Sequence, residues 1–176
     1  MIRTPILAAL TLFAAAPVAH HSAAERDRPA ATRSYRAIEQ VHWSYRDETV
    51  PGGQTRRQLR FSHAQSSSSL GGDDSADARS IAASLEGAHP GDPVSFALVR
   101  EAGALACAGR AEGGGRAAGS CRFDPDEGFV AGLANRGLAP EDSDELLALT
   151  LVDAHLATAD GLAGQGFELA DAGDLI

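Results

Sequence analysis

Between Asp92 and Phe123 the chain alternates apolar positions with polar or small ones at a period of two. Val94, Phe96 and Leu98 are interleaved with Ser95, Ala97 and Val99; Glu101-Ala102-Gly103 then interrupts the run. Leu105 and Cys107 resume it, Glu112-Gly113-Gly114-Gly115 breaks it again, and Cys121 and Phe123 bring it back. Successive side chains of a strand point to opposite faces, so this pattern predicts a three-stranded antiparallel meander over 93–123. A shorter version occurs upstream. Ile38, Val41, Trp43 and Tyr45 fall in 35–46, the last three alternating with His42 and Ser44, and Leu59 and Phe61 alternate with Arg60 and Ser62. Pro51-Gly52-Gly53 between them is a turn signal, so a hairpin is expected. Residues 65–78 (QSSSSLGGDDSADA) have no period and read as a mobile Ser/Gly/Asp-rich loop, closing with a short helix over 78–85. Two strands alone are not a stable unit, which places this loop inside one domain.

After Phe123 the period lengthens. Asp124-Pro125-Asp126-Glu127 offers a capping acceptor, proline at the first helical position and a capping-box glutamate. Phe129, Val130 and Leu133 give that helix one apolar side, and Gly137 suits a left-handed stop. Asp142-Ser143-Asp144-Glu145 opens a second, longer helix to about Ala163, with Leu147, Leu149, Leu151, Val152, Leu156, Ala159 and Leu162 on a wide apolar face. His155 lies within that face and is expected to be partly buried against the sheet, with no ligand role. The expected fold is α+β: an antiparallel sheet of about five strands covered by two C-terminal helices, one domain over 35–176.

The first residues change the picture of where this domain works. Arg3 followed by the apolar run Ile6 to Ala16 and small residues reads as a secretory signal peptide over 1–24, with 25–34 a flexible leader. At 11 residues the run is short of the ~20 that a helix needs to span a bilayer. No later stretch comes close, so no membrane span is expected after cleavage. Ser22-Ala23-Ala24 offers the better cleavage site, before Glu25; a cut after Ala19 would leave Pro17 at an unsuitable position. A periplasmic or secreted location follows.

Charge narrows the partners. The formal net charge is -9, all 15 basic residues are arginine, and every charged residue after Arg136 is acidic. A duplex binder needs a basic face to neutralise phosphates, so nucleic acid is not an expected partner. Arginine without lysine, beside abundant Ala, Gly, Pro and Asp, reflects genome composition, and the mixed-charge stretch 26–60 reads as a solvated surface.

Of the residues that carry chemistry, Cys107 and Cys121 are the strongest pair. They are symmetric about Gly114, so a hairpin turning there sets them directly opposite, and an oxidising compartment would join them. The histidines show no His-x-His or His-Glu-x-x-His spacing. His20 and His21 are the exception in kind: cleavage after Ala19 would expose an amine and an imidazole together, a copper-chelating start. No Gly-x-Ser-x-Gly elbow is present, Ser66 to Ser69 lie in the low-complexity segment, and a triad around His63 has no serine singled out for it. Asp126, Glu127, Asp144 and Glu145 are explained as first-turn helix acids. No cofactor and no catalytic residue is indicated.

The segment from Val94 (VSFALVREAGALACAGRAEGGGRAAGSCRF), then DPDEGFVAGLANRGL and ELLALTLVDAHLATADGLAGQGF, resembles uncharacterised exported bacterial modules. In these a β-meander with Arg-Glu-Ala-Gly and Gly-rich turns precedes short helices ending in a Leu-x-x-x-Gly-Tyr/Phe-like stop, here Leu162 to Phe167. Related modules occur beside the extracytoplasmic parts of antibiotic-sensing membrane metallopeptidases. The peptidase's His-Glu-x-x-His is missing from this chain, so the resemblance implies an extracytoplasmic interaction module and no proteolysis. The expected function is therefore an exported, non-enzymatic binding or interaction module with an unknown protein partner. An exported small-molecule or copper binder is the alternative, and a hydrolase with a fold-assembled site comes third.

Overall fold

The structure, a computed structural model, describes residues 34–49, 55–64, 66–71 and 76–176. The signal peptide, the leader to residue 33, His20, His21 and the Pro51-Gly52-Gly53 turn lie outside them. The strands are β1 (Ile38–Thr49), β2 (Thr55–His63), β3 (Ser66–Gly71), β4 (Pro93–Arg100), β5 (Gly103–Ala111) and β6 (Arg116–Pro125). The helices are α1 (Ala76–Leu85), α2 (Glu127–Ala134), α3 (Ser143–Leu151) and α4 (Leu156–Gly164), followed by a 3-10 turn over Ala172–Leu175. The class is α+β. All pairings are antiparallel in one six-stranded sheet of order β3-β2-β1-β6-β5-β4. The first three strands step outward from β1. After α1 the chain returns at the far edge with β4 and steps inward until β6 pairs with β1.

The alternation read from the sequence sets the two faces. Val41, Trp43, Tyr45, Leu59, Phe61, Val94, Leu98, Leu105 and Phe123 are buried on one side, where α1 and α3 pack. Burying each large apolar side chain contributes about 1.5–3 kcal/mol. Trp43 is the widest of them, and small residues make its seat. Its register partner on β6 is Gly119, whose partner on β5 is Gly109. A Cβ on Gly109 would collide with the Ala118 carbonyl oxygen and stand 2.6 Å from Trp43 Cζ2. Over this bare strip the indole Nε1 donates to the Ala108 carbonyl at 3.2 Å, and the Phe96 ring meets it edge-on at 5.0 Å.

Three expectations need correction. The segment 65–78 is not simply a loop: Ser66–Gly71 forms the edge strand β3, paired with Gln58–His63 of β2, and α1 begins at Ala76. Its serines carry no alternation, and the unpaired edge of β2 supplies the order. The cap of α2 is Asp126, whose Oδ1 accepts from Phe129 N at 2.7 Å, two residues later than expected. Asp124 and Pro125 stay in β6 because their register partners on β5, Ala104 and Gly103, hold them there.

The long second helix is two helices bent by 83°. Asp142 caps α3 as read, accepting from Asp144 N and Glu145 N at 2.9 Å. The helix ends at Leu151 with Val152 as its C-cap, and Asp153 just beyond adopts a left-handed φ of 57°. Ala154 N donates to Leu149 O and Asp153 N to Thr150 O, a Schellman closure with aspartate in the usual glycine place. Gly137 closes α2 and Gly166 closes α4 by the same pair of bonds. Leu146, Leu147, Leu149, Thr150 and Leu151 of α3 are all buried, so this helix is enclosed on nearly every side. Gly132 of α2 lets Leu156 of α4 approach closely. Among the described residues no single helix is long and apolar enough to cross a membrane.

Candidate binding surface

The side of the sheet away from α1 and α3 is covered by no described element. Its side chains come from the intervening positions, and the strand registers order them into rows. One row crosses the sheet as Ser62, His42, Ser120, Ala108 and Ser95. The next runs Arg60, Ser44, Ala118, Arg110, and the one after sets Gln58, Arg46 and Arg116 side by side. Toward the opposite end lie Arg122, Ala106 and Ala97. Adjacent strands are about 4.8 Å apart, so Arg60 and Arg110 flank Ser44 and Ala118 across roughly 14 Å. Arg46 and Arg116 lie at one end of this strip of small residues between arginines, the arginine trough.

This face is charged against the trend of the molecule. Arg46, Arg56, Arg60, Arg110, Arg116 and Arg122 are all exposed on it, while the chain as a whole carries -9. Arg122 is neutralised locally by Asp124 and Glu39; the Asp124 hydrogen bond comes first in raising its pKa, and Asp124 is held low in turn. Glu48 holds the register position opposite Arg56. Arg110 donates to the Gly91 carbonyl at 2.7 Å. Among the described residues Arg46, Arg60 and Arg116 make no ion pair. Most acids lie elsewhere: at the first turns of α2 and α3, around the α3–α4 bend and along the C-terminal residues.

The residues singled out by the sequence are scattered. Cys107 and Cys121 are register partners in β5 and β6 and are joined in a disulfide. The turn between them is centred on Gly114, with Gly113, Gly114 and Gly115 all at positive φ. Hydrogen bonding of Glu112 N to Arg116 O fixes the alternation, which makes the cysteines a non-hydrogen-bonded pair. His42 stands on the outer face. His63 Nδ1 lies 2.9 Å from the Gln40 carbonyl, and its Nε2 is 3.5 Å from Asp144 Oδ1, beside a small apolar recess formed by Val41, Phe61, Leu147 and Leu151. The side chains of Ser66 to Ser69 are not among those described.

His155 corrects a further expectation. It is the N-cap residue of α4, half-exposed, and not buried on an apolar face. Its Nδ1 is 2.9 Å from Glu101 Oε2 and its Nε2 3.6 Å from Asp153 Oδ1. Asp153 is held 3.2 Å from Arg100 Nε, and Arg100 also pairs with Asp77 of α1. These contacts tie the helix bend to the β4–β5 turn and to α1, which is a structural task. Among the described residues no three His, Cys, Asp or Glu side chains are placed to hold a metal ion.

A cavity of about 490 Å³ opens between α1 and the β1–β2 end of the sheet, lined by Tyr45, Asp47, Arg57, Arg79, Leu85 and Glu86. Burial first, and then the Asp47 carboxylate, raise the Tyr45 phenol above its usual value, against the Arg57 guanidinium beside it. Two cations and two carboxylates share these walls, so the cavity is electrically balanced from within.

No protein-family model, curated protein or solved structure matches the chain. The arginines of the outer face were the residues that sequence reasoning passed over. The signal lay in parity: Arg46, Arg60, Arg110 and Arg116 all fall out of phase with the apolar positions of their own strands.

Proposed function

We propose that this chain is a non-enzymatic binding module that works outside the cytoplasm and binds through the uncovered face of its sheet. The observation that carries the reading is that face itself: a broad sheet surface that no described element covers, with a cluster of exposed guanidiniums on an otherwise acidic molecule. Arginines without an ion-pair partner among the described residues, such as Arg46, Arg60 and Arg116, are well suited to engaging carboxylate, sulfate or phosphate groups. Export is supported by the apolar run after Arg3 and by the Cys107–Cys121 disulfide, a bond typical of oxidising compartments.

Two measurements test this. Mass spectrometry of protein exported by its own host is expected to find a mature chain beginning between His20 and Glu25; an intact Met1 terminus on exported protein would remove the export reading. Photo-crosslinking residues placed in the host at Ser44, Ala97 and Ser120 on the sheet are expected to yield adducts. The same groups at Thr158 and Gly161 on α4 are expected to yield none. Adducts from α4 alone would place the binding surface on the wrong side.

A further inference from the structure

We infer that the partner of the open sheet face is an anionic polysaccharide, held by Arg46, Arg60, Arg110 and Arg116 over a floor of serine and alanine; this rests on the reading of that face as the binding surface. The chemistry of the face decides between classes of polyanion. Apart from Pro93 and Val99 on the edge strand β4, the described outward positions of the paired strands are arginines, serines, alanines, His42, Gln58 and a few acids. Single-stranded nucleic acids are held by aromatic platforms on which bases stack, and the described outward positions include no aromatic residue. Binding to a membrane surface is strengthened by apolar side chains that enter the acyl boundary, and tight protein interfaces are anchored by buried aromatic or large aliphatic groups. Neither is present on the trough.

What remains suits a sugar polymer that carries acidic groups. The guanidiniums give bidentate bonds to carboxylate or sulfate, and Ser44, Ser95 and Ser120 with Gln58 can exchange hydrogen bonds with sugar hydroxyls. The floor is low enough for a ribbon-like chain to lie flat, because Ala106, Ala108 and Ala118 do not project. The net charge of the molecule does not prevent this. At physiological salt the Debye length is about 8 Å, so acids beyond the sheet are largely screened from a chain lying on the trough.

The test is binding of the full disulfide-bonded protein to polygalacturonate, with neutral dextran, a DNA duplex and phosphatidylglycerol vesicles as comparisons. Polygalacturonate is expected to bind, with log affinity falling linearly in log salt as counterions are released. The double variant Arg46→Ser/Arg116→Ser is expected to bind roughly tenfold more weakly at low salt and with a shallower salt slope. Arg36→Ser, remote from the trough, is expected to bind as the parent does. Equal retention of dextran, unchanged binding of the double variant, no binding of polygalacturonate, or tighter binding of the duplex or the vesicles would each overturn the inference. Failure here with crosslinks still formed from Ser44 and Ser120 would remove the partner class and leave the surface; loss of both would remove the surface as well.

Discussion

Trp43 reaches the Ala108 carbonyl because Gly109 and Gly119 leave the inner face bare beneath the indole. The two glycines weaken their strands locally, and the buried indole more than offsets that. Gly109→Ala and Gly119→Ala are therefore expected to lower stability by about 1–3 kcal/mol, read from urea midpoints, since either methyl must displace backbone atoms. The sequence shows alternation around both positions without showing that Trp43 would lie across them, because the order of β1 beside β6 is a long-range fact. The cysteines were different. Their symmetry about Gly114 is local, and the register follows from the turn. Cys107→Ser and Cys121→Ser are each expected to cost about 2–4 kcal/mol, with the double variant no worse than either. Two titratable thiols in the folded, exported protein would count against the bond.

At the scale of elements, the meander was legible because Glu112-Gly113-Gly114-Gly115 both interrupts the alternation and supplies the positive φ values that the turn uses. The break between α3 and α4 was not. No glycine or proline marks it, and the left-handed place is taken by Asp153, a residue type that tolerates the conformation when its carboxylate is held, here by Arg100 and His155. Nor was β3, whose Ser-rich run acquires its order from β2. The start of α3 makes a pH prediction. Burial raises the Glu145 carboxyl above its usual value; the Glu141 N–H opposes this, and the charges of Glu141, Asp171 and Asp142 reinforce it. The folded state thus holds that proton more tightly than the unfolded one, so ionised Glu145 costs stability at neutral pH and the cost is relieved as pH falls through its folded value. Glu145→Gln is expected to raise Tm at neutral pH, with the difference shrinking in acid. Asp160 has the opposite sign, since the Arg136 guanidinium holds it low. Its contribution is present above the unfolded value and is lost as pH falls through the folded one.

At the scale of the whole molecule, the layered arrangement separates charge as well as polarity. The helical layer and the C-terminal residues carry most of the carboxylates, and the far side of the sheet gathers arginines from four strands, two hairpins that are far apart in sequence. Composition alone could not show this, because a net charge of -9 averages over both sides. Strand parity shows it once the faces are known. If the arginine trough is the working surface, its guanidiniums should be shielded in the host and exposed on isolation. The most direct measurement is arginine labelling with a dicarbonyl reagent, comparing the exported protein in its host with the purified protein at matched salt. The expected result is protection of Arg46, Arg60, Arg110 and Arg116 in the host, lost on purification, with Arg36 labelled equally in both. Equal labelling of the trough arginines in the two settings would contradict it.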